Sequence, residues 1–169
     1  MLSTPLFRLA NTADLPAITE ILNQSIQTGV QNAYTELVDL AERTAWLAKH
    51  PPAKWPVFVI ENDERIVGWC CFSAYRPERK SLAGLAEITY YLDNQSQGRG
   101  LGSATVDFLL EEGRKRGFRH LFAVTMDTNT ASIRLLEKKG FDRWAHLPEV
   151  AEINGQVCGQ VYYGRKLLG

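Results

Sequence analysis

The feature that most constrains this chain is the run Gln97-Gly98-Arg99-Gly100-Leu101-Gly102-Ser103, which lies between a strand-like apolar segment and an amphipathic helical one. Glycines at 98, 100 and 102 allow positive φ and close backbone approach, so successive N–H groups can converge on one diphosphate. The helix that follows adds the positive end of its dipole. After Leu101, apolar Ala104, Phe108 and Leu109 oppose Ser103, Asp107, Glu111 and Arg114, with Gly113 and Gly117 marking the helix's fraying end. The run lacks the Lys-Ser/Thr ending of a nucleotide P-loop and does not open the first βαβ unit, which argues against nucleoside triphosphates and NAD. An anion cradle and a plain strand-to-helix turn both remain open at this point.

Charge narrows the partners. Lys plus Arg equal Asp plus Glu at 19 each, so neither nucleic acid nor a membrane surface has electrostatic support, and a small ligand is expected. A chain of 169 residues with 45% hydrophobic content suits one domain spanning 1–169. No run approaches the ~20 apolar residues of a membrane span, and residues 1–10 lack a signal-peptide pattern, so a cytoplasmic location is expected. Cys70, Cys71 and Cys158 are odd in number, and the adjacent pair falls on opposite faces of a strand, which implies reduced thiols. His50, His120 and His146 lack metal-ligand spacing and no Gly-x-Ser-x-Gly elbow is present, so neither a metal site nor a serine hydrolase is expected.

Periodicity gives the order of elements. A short strand at 7–9 precedes a helix striped by Leu15, Ile18, Leu22 and Ile26, with Thr12 or Asp14 near its cap, Pro16 in its first turn and Gly29 at its end. A second helix carries the stripe Leu37, Leu40, Ala41, Leu47 and Ala48 and stops at Pro51-Pro52. Runs 57–60 and 66–72 form a hairpin, a charged loop covers 73–84, and strand 85–92 feeds the glycine run. Alternation puts Leu85, Glu87, Thr89 and Tyr91 on one face of that strand and Ala86, Ile88, Tyr90 and Leu92 on the other. Strand 120–126, helix 129–139 and two strands around Asn154-Gly155 complete βααβββαβαββ, an α/β chain with a mixed sheet.

Two ordered blocks then carry a resemblance. Gln97-x-x-Gly100-x-Gly102 resembles the Gln/Arg-x-x-Gly-x-Gly/Ala loop of the GCN5-related N-acetyltransferase (GNAT) superfamily. Asn129-Thr-Ala-Ser132-Ile-Arg-Leu-Leu136-Glu-Lys-Lys-Gly140-Phe141 is similar to its Asn-x-x-Ser/Ala helix ending in Gly-Phe. The element order matches nearly the whole chain, which implies the acyl-CoA N-acyltransferase fold with a splayed central sheet. Within the superfamily the chain looks closest to the phosphinothricin and methionine-sulfoximine N-acetyltransferase branch. That branch shares a Glu ten residues before the loop, as Glu87 precedes Gln97, and a Gly-Leu-Gly ending.

The resemblance implies acetyl-CoA as cosubstrate, no metal, and direct transfer to a small amine, an amino acid or toxic amino-acid analogue. Gln97, Gly98, Arg99, Gly100, Leu101, Gly102 and Ser103 are then expected around the diphosphate, with Arg99 either contacting it or standing as a solvated charge. Tyr90, Tyr91 and Leu92 are expected along the cofactor arm, with the Leu92 N–H as oxyanion donor. Asn129 and Ser132 match the block that meets the pantetheine; Asn129 also suits a helix cap. Glu87 is the candidate catalytic base, or else an ion-pair partner of Arg76 or Arg79. Tyr34 matches an aromatic acceptor-pocket residue, and Arg76 a loop arginine that attracts a carboxylate. One departure stands out: Leu136 occupies the place where the family carries a proton-donating Tyr or His, and a leucine has no proton to give. Water, Tyr91 or Tyr162 replaces that donor, or the thiolate leaves unaided. The stretch 147–164 is expected to close the pocket or to pair with a second copy as a homodimer. Competing readings are acetylation of a protein or peptide amine, and a noncatalytic acyl-CoA sensor, which Leu136 favours.

Overall fold

Strand-forming runs occur near the start, in the middle and at the end of the chain, and in the computed structural model, which describes residues 4–168, they join into one seven-stranded sheet. The elements are β1 (Leu6–Leu9), α1 (Leu15–Thr28), α2 (Leu40–Ala48), β2 (Val57–Asn62), β3 (Arg65–Ala74), β4 (Leu85–Leu92), α3 (Leu101–Lys115), β5 (His120–Met126), α4 (Thr130–Lys138), β6 (Asp142–Ile153) and β7 (Gln156–Lys166). Spatial order is β1-β2-β3-β4-β5-β7-β6. Every neighbouring pair is antiparallel except β4 with β5. The expected βααβββαβαββ order and mixed sheet are therefore present. Among the described residues no helix is long and apolar enough to cross a membrane.

The two-residue period of the strands decides which helices they meet. Cys70, Phe72, Ala86 and Ile88 face Val106, Leu109 and Leu110 of α3 and Leu136 of α4. Val57, Val59, Trp69 and Cys71 point the other way, onto Ile18, Leu22 and Ile26 of α1. Cys70 and Cys71 thus lie on opposite faces, and all three cysteines are free and buried.

Several local readings differ. Asn11 caps a short 3-10 turn (Thr12–Asp14) ahead of α1, while Asp14 returns a bond to the Asn11 N–H and ion-pairs with Arg8 at 2.8 Å; neither Thr12 nor Asp14 caps α1 by its side chain. On α2 the expected stripe fails: Leu37 lies outside the helix, Leu40 and the two alanines are exposed, and the one buried residue is Arg43. The helix is turned so that Arg43 and Trp46 face inward, stacked at 3.7 Å from guanidinium to ring centre. α3 buries Thr105, Val106 and Leu110 as well as Leu109, whereas Ala104 and Phe108 are half-buried. Gly113 does not mark a frayed end: it lies within α3, where a Cβ would stand 3.0 Å from Leu121 and Leu167, and the chain leaves the helix at Gly117, φ 76°.

Leu136 is fully buried in the α3 and α4 core, so its contribution is packing. Leu136→Ala is expected to lower unfolding stability by about 2–5 kcal/mol, measured by chemical denaturation.

Candidate active site

β4 and β5 pair only at Leu85–His120, Ala86–Leu121 and Glu87–Phe122, and then diverge. On its other edge β4 remains paired with β3 as far as Leu92. The Asp93 N–H donates to the Val67 carbonyl at 2.9 Å, which fixes the phase of that ladder: Glu87, Thr89 and Tyr91 exchange backbone bonds with β3. Ile88, Tyr90 and Leu92 consequently turn their N–H and C=O groups into the gap. Such a row of backbone groups is an edge that an extended ligand can complete.

The gap is a cleft of about 310 Å³, walled by residues 87–92, by 123–125 of β5, and by Gln97, Gly98, Gly102, Asn129, Ser132 and Leu135. At one end stands the glycine run. Gly98 and Gly100 take φ of 74° and 80°, and Gly100, the N-cap of α3, offers no side-chain cap. The Ala104 N–H makes the first bond back, to Gly100 at 3.0 Å, which leaves the amides of Leu101, Gly102 and Ser103 unused within the helix. Gly102 is needed for a different reason: its Cβ would meet Leu135 of α4 at 3.1 Å. The Leu101 side chain packs with Ile60 and Val67, so only its backbone is available. Arg99 is exposed and lines a separate cavity with Asn62 and Gly100.

Asn129 is the helix cap and also lines the cleft. Its Oδ1 accepts from the Ser132 N–H at 3.2 Å, capping α4, and its Nδ2 donates to Thr125 Oγ1 at 3.1 Å on the cleft wall. Ser132 Oγ and the Tyr90 hydroxyl lie 2.8 Å apart, and burial pushes the Tyr90 phenol up to about 12, with the Ser132 bond opposing it. Burial likewise raises the Tyr91 phenol.

Glu87 is half-buried and lines the cleft together with two adjoining cavities. Its carboxylate makes no hydrogen bond or ion pair among the described residues. Arg79 pairs instead with Glu78 at 3.7 Å, and the exposed Arg76 lies 5.4 Å from the Tyr75 ring centre, lining none of the cavities that contain Glu87. Desolvation pushes the Glu87 carboxyl above its ordinary value. Tyr34, by contrast, stands with Glu87 in a second cavity of about 210 Å³, alongside Arg43, Trp46, Trp69, Cys71, Ser73, Thr89 and Tyr91. The sequence reading missed Arg43 and Trp69. A cation at the centre of the α2 stripe, three residues after Leu40 and four before Leu47, was the available signal.

A parallel pair that parts beside a carboxylate, with an uncapped helix end closing the cleft, forms a site with room for an extended ligand that carries an anionic end. The acetyltransferase (GNAT) family model matches residues 15–141, and the chain belongs to that family and is an N-acetyltransferase. It is 32% identical over 146 residues to an L-methionine sulfoximine/L-methionine sulfone acetyltransferase of Salmonella typhimurium, covering 85% of this chain and 83% of the relative. It is 31% identical over 161 residues to a phosphinothricin N-acetyltransferase of Alcaligenes faecalis, covering 95% and 81%. The crystal structure of a phosphinothricin acetyltransferase from Sinorhizobium meliloti in complex with AcCoA matches with a TM-score of 0.92 at 26% identity, covering 98% of this chain and 90% of that one. Among the described residues no group of His, Cys, Asp and Glu could hold a metal ion.

The raised Glu87 pKa also bears on stability. Folding favours the protonated acid, so the carboxylate costs stability once the pH passes the ordinary glutamate value of 4.5 and rises toward the folded one. Glu87→Gln is therefore expected to raise the thermal midpoint at neutral pH, with the gain vanishing below pH 4.5, as followed by melting curves across pH.

Proposed function

We propose that the protein transfers the acetyl group of acetyl-CoA directly to the amine of a free amino acid or a toxic amino-acid analogue. The observation that carries this reading is the position of Glu87: an unpaired carboxylate shared by the long cleft and the smaller cavity, between donor space and acceptor space. The names of the relatives, which act on methionine sulfoximine, methionine sulfone and phosphinothricin, support the acceptor class. A second cavity of about 210 Å³ suits a metabolite better than a peptide.

The residues present fit acetyl-CoA. The glycine run offers free amides at the α3 N-terminus for a diphosphate, with Arg99 beside it, and the turned-out groups of Ile88, Tyr90 and Leu92 match a pantetheine arm. When bound, acetyl-CoA supplies the thioester whose acyl carbon the amine attacks. Glu87 accepts the ammonium proton, directly or through one water, and its raised pKa brings it closer to the strength that task needs. The Leu92 N–H is the donor for a carbonyl oxygen on which negative charge grows. Tyr90 and Tyr91 stay protonated through the neutral range, the Tyr90 hydroxyl beside Ser132 on the cleft wall and Tyr91 toward Asn32 at the smaller cavities. Asn129 and Ser132 fix the α4 wall.

Mixing protein, acetyl-CoA and an amino-acid panel should release free thiol in an amine-dependent manner; a full panel without release would remove this reading. Glu87→Gln should lower kcat/KM by about 10²–10⁴-fold while calorimetric acetyl-CoA affinity is retained. In the parent, kcat/KM should rise with pH through a value above 4.5 as Glu87 ionises, and the variant should lack that limb. Gly100→Ala, which strains the left-handed N-cap, should weaken acetyl-CoA binding by roughly tenfold in the same calorimetry.

A further inference from the structure

Arg43 is 4% exposed, yet its Nε and Nη2 have no hydrogen-bond partner. Those two atoms form one edge of the guanidinium, the edge that grips a carboxylate through two parallel bonds. The indole Nε1 of Trp69, a ring 2% exposed in the same cavity wall, is also without a partner. Among the described residues no acid pairs with Arg43. Glu42 is spent on the α2 capping box, bonding the Asp39 N–H at 3.0 Å, and Glu87 shares the cavity without forming an ion pair to Arg43.

Stacking does not account for this. The guanidinium lies 3.7 Å from the Trp46 ring centre and 5.4 Å from that of Trp69, contacts of roughly 2 kcal/mol when desolvated. Orphaning donors on a buried cation costs more than that, and an aliphatic side chain would fill the same place. The cavity wall therefore holds a buried cation whose fork has no partner and, apart from it, a carboxylate that does not pair with it, so a ligand that reaches the fork must part the ring packing around it. A small zwitterion complements that arrangement: an anionic oxygen pair for the arginine edge and an amine for the carboxylate.

Resting on the acceptor class proposed above, we infer that Arg43, assisted by the Trp69 indole N–H, is the specificity-determining anchor for the carboxylate of an amino-acid acceptor whose amine lies toward Glu87. The anchor sits on α2 and β3, within the acceptor cavity, whereas Arg76 stands outside it.

The test compares L-methionine sulfone with its carboxamide, which keeps the amine and loses the negative charge. The parent should prefer the acid by about a hundredfold in KM, and Arg43→Gln should collapse that ratio toward one. Trp69→Phe, which keeps the ring and removes one donor, should reduce it by roughly tenfold. Calorimetry with acetyl-CoA should give the same affinity for parent and variants, which shows that both variants keep the fold and the donor site. An unchanged acid-to-amide ratio in both variants, or equal loss on both probes, would overturn the anchor while leaving the acetyltransferase reading intact. A parent that binds acetyl-CoA but acetylates neither probe, nor any other amino acid with its amide, would overturn both.

Discussion

The structure turns on the separation of β4 from β5. Parallel strands that stay together satisfy one another, but here the pairing ends at Glu87 and residues 88–92 keep only the β3 side. Three residues with outward-turned amides and carbonyls then line a gap whose floor is core and whose end is a helix N-terminus. Leaving buried backbone groups without partners is costly, and the cost is localised where a ligand can relieve it. Everything else in the site is arranged around that gap. α4 is capped by Asn129 against one wall, and α1 and the segment after it stand on the other side of the sheet.

Much of the fold was legible because it rests on local rules. Strand periods placed 85–92 and 120–126 at the observed bounds, and Gly29 ended α1 in the left-handed conformation that favours glycine. The glycine run and the Asn129 cap follow from backbone needs that short sequence windows express. What failed was decided by tertiary packing. On α2 a hydrophobicity count selects Leu37, Leu40 and the alanines, whereas the fold selects Arg43 and Trp46, whose flat groups stack between the helix and Trp69. On α3, Gly113 reads as a breaker but is a close approach between helix and sheet.

The site shows the same division. Alternation put Glu87 on one face of its strand and the family resemblance made it the candidate base, whereas its freedom from any salt bridge emerges only once Arg76 and Arg79 are seen to have other neighbours. Leu136, conspicuous in sequence as a missing proton donor, is a core residue, and Tyr90 with Ser132 forms a hydroxyl pair on residues that line the cleft. No sequence window joins those two, which lie 42 residues apart and meet only because α4 folds back over β4.

Cys71 lines the smaller cavity together with Glu87, and burial pushes its thiol up to about 12. Sulfur attacks acyl carbon as the anion, and at neutral pH that anion is almost absent here. In a protein whose cosubstrate is a thioester, burial thus keeps a cavity-lining thiol in the form that does not compete for acyl groups, while its small side chain still packs the core.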